Sequence, residues 1–533
     1  MTRYAASKPP STGPGWSLDR LTPPSRVFGA NGLRTGPDGR VYIAQVTGSQ
    51  ISALDVGTGA VEAVSPKGGD IVAPDDVAFD DAGRLIATEV MNGRVSVLEN
   101  GRARVLRDDV PSANGITVHN GRLFVGECRH GGRLLELPMD GGPPRVISEN
   151  LPSPNAMEFG PDGKLYFPVM DANEIWRIDV DGGEPEPVAG DLGVPDSVKF
   201  DADGYIVSTQ VFSGQVLRID PRTGVQTVLA QLAPGLDNCT FTGSGTDARL
   251  FVSNFTGEIT EILPDGTTRA ALQGGLNWPL DLAVGADGAL YIADGTYFYR
   301  LMPGGEKQIA GMLFTPGYPG FLRGLTPSAP GEFVVTTANG DVARYRPETS
   351  ETEVMAGGFD QLYGVALAPD GAAVVVEQGT GRVLAIGTGG GTEVLAAGLQ
   401  TPVGVVVAPD GTVLVGETGR VVKLSGGRAE TVVDGLGQPQ GLLIADGLLY
   451  IVDAGRKEVV AVDLASGARQ TIASDLPVGA PPGVTPKPLL GMPPFSGPQG
   501  PFAGIAGGPD GTLYVSADAD GSVLALRPTH STP

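Results

Sequence analysis

Residues 195–229 read PDSVKFDADGYIVSTQVFSGQVLRIDPRTGVQTVL. Four short β-rich runs lie in this stretch, and Asp203-Gly204 and Thr223-Gly224 punctuate them as turn signals. Four strands in a period of about 40 residues predict one blade of a β-propeller. A single blade cannot bury its own faces, whereas a ring of blades can.

The pattern recurs about every 41 residues, twelve times along the chain of 533. The residue that opens the first strand of each repeat forms a column. In the first six repeats it is Asn31, Asp75, Asn114, Asn155, Asp196 and Asp237. In the last six it is Leu280, Arg323, Tyr363, Val403, Gln440 and Ala503. A residue that the scaffold needs should persist in both halves, and a residue that a site needs has to persist in only one. The Asp-Gly pairs, such as Asp38-Gly39 and Asp410-Gly411, occur in both halves. They are therefore read as hairpin turns, where Gly supplies positive φ, and not as calcium loops.

Composition agrees with many short strands. Glycine contributes 81 residues and proline 45, with 41% apolar residues. The net charge of −23 disfavours nucleic acid and anionic membrane surfaces as partners. No apolar run approaches a membrane span, and the opening MTRYAASKPPSTGPGW lacks a signal-peptide core. The two cysteines, Cys128 and Cys239, fall in different repeats, which suits a reducing, cytoplasmic setting. Cys239 is expected to pack as a small apolar residue. The expected partner is a small-molecule substrate; a monomer is compatible with the sequence.

Twelve blades allow one ring of twelve or two rings of six. Rings usually hold four to eight blades, and the polar column changes after the sixth repeat. Two tandem six-bladed propellers of four-stranded antiparallel blades are therefore expected, in an all-β chain. The last repeat lacks an outer strand, while Ser25–Phe28 and Thr267–Leu272 read as spare outer strands. The expectation is that each ring is closed by its own N-terminal strand: Val27's strand joins blade six and Arg269's strand joins blade twelve. This predicts a loose arm over 1–23, a metal-binding propeller over 24–265 and a second, degenerate propeller over 266–533. The division falls near Pro264-Asp265-Gly266. Insertions at 311–322 and the Pro-rich 477–502 interrupt the second half. Each is read either as a cap or as a stiff spacer.

Inner strands line a propeller's channel, so the six leading side chains of the first ring should converge on its axis. Three amides and three carboxylates form an oxygen-only set, which favours a hard cation. Ca2+ fits best, with Mg2+ or Mn2+ as alternatives. Three buried carboxylates would otherwise repel, or take up a proton. Capping of strand ends by Asn and Asp is the competing explanation, but it does not account for six copies in one half only. A second ring, Gln45, Glu89, Glu127, Val169, Thr209 and Asn254, with Asp171 and Gln210 close by, is expected at the mouth. His130 is expected there too, as a general acid or base or as a solvated loop residue. His119 is placed in a hairpin on the opposite face and His530 in the tail.

The repeat and the polar column resemble the senescence-marker-protein/gluconolactonase family, the regucalcin-type lactonases. The resemblance runs over residues 24–265 and rests on Ala113-Asn114-Gly115, Pro154-Asn155-Ala156 and Pro195-Asp196-Ser197. It implies a six-bladed propeller with a divalent metal on the axis. It also implies that Asn114, Asn155 and Asp196 are metal ligands, with Asp196 handling a proton as well. Asn31 stands where the family has Glu, and Asp75 and Asp237 are the residues placed to restore the lost charge. The resulting expectation is a metal-dependent hydrolase opening a lactone or related ester. Asp196, Glu89, Glu127 and His130 are its candidate catalytic residues, and Asn31, Asp75, Asn114, Asn155, Asp196 and Asp237 its metal set. The alternatives are a lyase, isomerase or cyclase acting through an enolate on the same site, and a non-enzymatic binding scaffold. In the second ring, Arg323, Tyr363, Gln440 and Asp281 form a separate set, which could bind an anion or could mark a lost site.

Overall fold

A computed structural model describes residues 3–4, 8–493 and 495–529; His530 lies outside the described residues. The chain is all-β, and among the described residues the helical pieces are two 3-10 turns, Met170–Ala172 and Gly245–Asp247. None is long and apolar enough to cross a membrane. The strands form antiparallel sheets of four, all but one built wholly from consecutive strands, and one of these gains a fifth strand. In the fifth blade the strands are Pro195–Phe200, Ile206–Gln210, Gln215–Ile219 and Gln226–Gln231, the four runs read from its sequence. Gly204 turns its first hairpin with φ of 80°.

Two compact units result. One contains Arg26–Gly275 together with Val484–Leu489, and the other contains the remaining described residues. In the first, the inner strand of the sixth blade packs beside that of the first blade. Ser253 Oγ donates to Asn31 O at 2.6 Å and Thr35 Oγ1 to Phe241 O at 2.7 Å across this seam. Val27, Leu33, Ile43, Phe251, Ile259 and Leu272 form one apolar cluster there. In the second unit, blades seven and twelve meet in the same way: Ser516 Oγ donates to Leu280 O, and Gly504 N to the same carbonyl at 3.0 Å.

The closing strands differ from expectation. Thr268–Leu272 belongs to the sixth blade itself, pairing Ile262 with Thr268. Pro264-Asp265-Gly266 is the hairpin turn that brings it back, with Leu263 N donating to Thr267 O at 2.8 Å. Such a short hairpin closes at far lower entropic cost than pairing with a distant blade. Ser25–Phe28 is not a strand, and Phe28 N instead donates to Gln45 Oε1 at 2.9 Å. The first ring therefore closes without a shared strand, by packing and the hydrogen bonds across the seam. The second ring takes the N-terminal segment: Trp16–Arg20 pairs antiparallel with Ser522–Pro528, from Trp16 opposite Pro528 to Arg20 opposite Leu524. Ser11–Thr12 adds to the eleventh blade. Within the 1–23 expected to form a loose arm, Ser11–Thr12 and Trp16–Arg20 are thus strands, and the boundary falls at 275/276 in place of 265/266. Within 477–502, Val484–Leu489 counts with the first propeller, where Lys487 faces Asp70 at 3.9 Å.

The inner strands share one irregularity. Their register with the second strand slips at the start: between Pro74 and Val77, Ala113 and Ile116, Pro195 and Ser197, and Leu236 and Cys239. The second ring does the same between Pro279 and Leu282 and between Leu322 and Leu325. Each slip is a bulge that frees the leading residue from its own blade and turns it inward. Its carbonyl instead serves the preceding blade: Gly32 N donates to Asp75 O at 2.7 Å, and Ala156 N to Asp196 O at 3.1 Å. The blades approach so closely there that a Cβ on Gly32 would lie 2.5 Å from Asp75 O, and one on Gly115 2.3 Å from Asn155 O. Where glycine follows the leading residue, as at Gly32 and Gly115 and at Gly404 in the second ring, it is therefore required by packing.

Trp16 and Leu18 pack on the apolar cluster of the last blades. Deleting residues 1–21 strips these contacts and leaves Ser522–Pro528 as a bare edge. We expect calorimetry to show the second propeller's transition lowered by about 5 °C or more, with aggregation on heating. Unchanged transitions would contradict this closure.

Candidate functional site

The six leading residues of the first ring come together, four of them, Asp75, Asn114, Asp196 and Asp237, at register slips. Asp75, Asn114, Asn155, Asp196 and Asp237 are buried and Asn31 is partly so. Amides pin carboxylates around the ring. Asn31 Nδ2 donates to Asp237 Oδ2 at 3.0 Å, and Asn155 Nδ2 to Asp196 Oδ2 at 2.9 Å. Asn114 is hydrogen-bonded to Asp75, and Asp237 to Asp196. With their nitrogens engaged in this way, the amide oxygens of Asn114 and Asn155 are buried without a hydrogen-bond partner. A buried acceptor in that state is costly and points to a ligand that supplies positive charge or a donor.

The carboxyls carry the matching electrostatic strain. Burial, then the Asp76 charge, pushes Asp196 up to about 7, although Asp237 and Asn155 hydrogen bonds oppose the rise. Burial followed by Asp196 pushes Asp75 and Asp237 well above the ordinary carboxylate range. Three acids that cannot all ionise comfortably, interleaved with two free amide oxygens, make a donor set suited to a hard cation. Among the described residues no three His, Cys, Asp or Glu side chains stand close enough to hold an ion by themselves, so amide oxygens would have to complete any such site.

Above this ring stand two sulfur side chains that sequence reasoning did not place there. Met170 Sδ lies 3.1 Å from Asn155 Nδ2 and 3.7 Å from Cys128 Sγ. Burial, then Asp75 and Asp196, pushes the Cys128 thiol well up, so it stays protonated at neutral pH. Cys239 is fully buried and also unpaired. Three residues beyond the leading positions sits a second missed cluster. Arg34 and Lys199 converge on Glu158 at 3.0 and 3.2 Å. Burial alone would raise Glu158, but the Lys199 and Arg34 charges outweigh it and hold the carboxyl below its usual range. Arg34 also donates to Ile116 O at 2.7 Å and Val77 O at 3.1 Å. This cluster ties together the inner strands of five blades, and the same offset in the second ring holds Ala283, Thr326, Ala366, Val406, Leu443 and Ala506. Spacing from the column residues was the signal that could have found it.

The expected mouth ring proves to be scaffold in large part. Glu89 is fully buried and accepts from Val72 N at 2.7 Å, Arg94 Nε at 2.8 Å and Ser96 Oγ. Glu127 is equally buried and accepts from Arg133 N at 3.2 Å, Arg133 Nε at 3.0 Å and Arg129 at 3.0 Å. The equivalent residues of the second ring make the same backbone clamp: Asp294 to Trp278 N, Glu377 to Asp360 N at 2.8 Å, Asp453 to Gly437 N at 2.7 Å. Gln45 and Gln210 do so as amides, the latter to Gly193 N at 3.0 Å. Thr209 Oγ1 lies 2.7 Å from Ser197 Oγ, Asn254 Nδ2 donates to Pro234 O at 3.2 Å, and Val169 is core. A column kept in both halves, with its lone pairs filled, latches each inner strand to its blade. Glu89 and Glu127 are thereby corrected from catalytic candidates to structural ones.

His130 is at the rim, with its side chain 91% exposed and Nδ1 3.4 Å from Asp171 Oδ2. Asp171 Oδ2 also accepts from Ser153 Oγ at 2.8 Å, and Ser153 precedes Asn155 by two residues. His130 is thus tethered to the blade that carries Asn155. His119 stacks on Phe159 at 4.1 Å, away from the carboxylates.

Residues 16–256 match the family profile described as the SMP-30/Gluconolactonase/LRE-like region. No curated protein matches the chain. Similar solved structures include a streptogramin B lyase, at 20% identity over 52% of this chain and 94% of that one, with a TM-score of 0.39. A gluconolactonase from Xanthomonas campestris is 19% identical over 46% of this chain and 92% of its own, with a TM-score of 0.38. Virginiamycin B lyase from Staphylococcus aureus is 16% identical over 60% and 95%, with a TM-score of 0.31. Likenesses this remote decide nothing about the reaction.

The raised carboxyl of Asp196 gives a sign that can be checked. Its pKa goes from 3.8 unfolded to about 7 folded, so the folded state binds the proton more tightly. Below about 4 both states are protonated and the contribution is constant. Between there and about 7, stability of chelator-treated protein should fall as pH rises. Asp196→Asn should flatten that slope, read as melting temperature against pH; an equally steep slope in the variant would refute the assignment.

Proposed function

We propose that the N-terminal propeller is a divalent-metal-dependent hydrolase that opens a lactone or related ester at its central channel. The observation that carries this reading is the interleaved ring: strained carboxyls of Asp75, Asp196 and Asp237 beside the unpartnered amide oxygens of Asn114 and Asn155. The family match over residues 16–256 supports the reaction class.

Asn114, Asn155 and Asp196 would hold the cation, with Asp75, Asp237 and Asn31 completing the ring. Calcium suits a set of six loosely arranged oxygens, and magnesium or manganese would suit a smaller one. A bound cation supplies Lewis acidity toward a carbonyl oxygen and to a water beside it. Asn155 positions Asp196 through its amide nitrogen, and the Asp196 carboxylate takes the proton from the attacking water. Water oxygen bonds to the carbonyl carbon, the ring C–O bond breaks, and the proton passes to the departing alkoxide. His130, exposed and tethered to Asp171, is placed to exchange that proton with solvent. Cys128 and Met170 offer no charge and little hydrogen bonding, so they give the channel a dry wall that strengthens the electrostatics beneath it. We place the protein in a reducing, cytoplasmic setting with a small molecule as its partner.

In a screen of lactones and esters, Asp196→Ala should lower kcat/KM by about a thousandfold or more and weaken metal binding. Glu127→Gln should keep kcat close to that of the parent while lowering the melting temperature. Hydrolysis in labelled water should place one labelled oxygen in the product carboxylate. Full turnover by Asp196→Ala, or product without label, would overturn the proposal.

A further inference from the structure

The second ring has a buried charge of the opposite sign in the corresponding place. Arg323 leads the inner strand Leu322–Ala329, where register slips between Leu322 and Leu325, and it is 1% exposed. Its guanidinium carbon lies 4.5 Å from the Tyr363 ring centroid and 5.4 Å from that of Trp278. One terminal nitrogen donates to Gly500 O. The other, NH1, is buried without any acceptor. Burial is the dominant influence on this guanidinium, and Tyr363 offsets it through its charge and a side-chain hydrogen bond; no carboxylate contributes. The ring's own acid, Asp281, has both oxygens engaged, by Leu282 N and Leu325 N at 3.0 Å each.

An arginine cannot shed its proton to escape such a setting. Moving a cation of that size out of water stays costly even after relaxation, and aromatic faces return only part of that cost. Arg34 in the first ring shows how the fold otherwise handles the problem, by an ion pair with Glu158. The cap over the second ring is fitted to the same spot. Phe502 meets the Tyr363 ring edge-on at 6.3 Å, and Ala503 N donates to Gln440 Oε1 at 2.8 Å. A cavity of about 230 Å3 in the same ring, walled by Asp281, Leu325, Val365, Val405, Phe502 and Ile505, does not have Arg323 on its wall and is separate from this spot.

We propose that the second propeller binds a small monovalent anion, a halide or the carboxylate of a small acid, on Arg323 NH1 at its axis. Gly500 occupies one arm of the guanidinium fork, so the bidentate grip that favours phosphate or a broad carboxylate face is closed. The aromatic and aliphatic surroundings favour a weakly hydrated ion of single charge over sulfate or phosphate. This site is independent of the hydrolase reading.

The test uses the full-length protein at constant ionic strength, titrated with sodium chloride, bromide or acetate against sodium sulfate. A saturable rise of about 2–4 °C in melting temperature is expected with the monovalent ions and none with sulfate. The arm that saturates at lower concentration tells halide from carboxylate. Arg323→Met should lose the saturable component and be at least as stable as the parent without added anion. Should that variant fail to fold, bromide-soaked crystals of the parent decide the matter: an anomalous peak within about 3.5 Å of Arg323 NH1 is expected. An identical salt response in both proteins, a larger response to sulfate, or no bromide at Arg323 would overturn the proposal.

Discussion

Neighbouring inner strands meet at each propeller axis so closely that they hydrogen-bond across blades. That contact governs the rest of the molecule. Gly32 N reaching Asp75 O, and Ala156 N reaching Asp196 O, require the leading residue to leave its own blade's ladder. The bulge that results sends its side chain to the axis. Where the following residue is glycine, the next blade's backbone fits against it. Where it is not, a side chain supplies the acceptor: Asp76 Oδ2 takes Ile116 N at 3.3 Å, and Asp281 Oδ2 takes Leu325 N. The axis-directed position is thus a by-product of ring closure, and it is open to whatever chemistry the sequence writes there.

The first ring separates its charges by depth. Acids and amides gather at the strand entry, while Arg34 and Lys199 meet Glu158 one turn of the channel further on. The cations are near enough to lower Asp76, yet burial still leaves that carboxyl raised. Asp75 and Asp237, by contrast, are controlled by burial and then by the Asp196 charge, with Asp76 acting on both and Asp75 on Asp237. A fold that merely needed neutrality could have placed those cations among the acids. Keeping them apart leaves a concentrated negative centre, and such a centre has a physical purpose when a cation is the occupant.

The repeat and the polar column were legible because both are written in strict register, four runs and one leading residue per period. Strand ownership was not. Thr268–Leu272 and Trp16–Arg20 have the same outer-strand character in sequence, and only loop length separates the one that closes a local hairpin from the one that crosses to the last blade. Glu89 and Glu127 misled for a related reason. A carboxylate at a strand end looks the same whether it faces a substrate or a backbone amide, and the clue was its persistence as Asp294, Glu377 and Asp453 in the ring without the acid column. Cys128 and Met170 gave no sign, since their nearness to Asn155 comes from the way successive blades stack.

Applying the same comparison to the second ring changes what its lost column means. Leu280, Val403 and Ala503 are what a ring relieved of a polar site would be expected to accumulate, since apolar side chains pack a closed axis at no desolvation cost. Arg323 does not fit that drift. It is the largest side chain buried to this degree, and a methionine or leucine would fill its space between Tyr363 and Trp278 without a charge to accommodate. Its retention beside a cap that meets Arg323, Tyr363 and Gln440 in turn is most simply explained by a use for the charge itself. On this view the two axes are one scaffold read with opposite signs, acids in one and a lone guanidinium in the other.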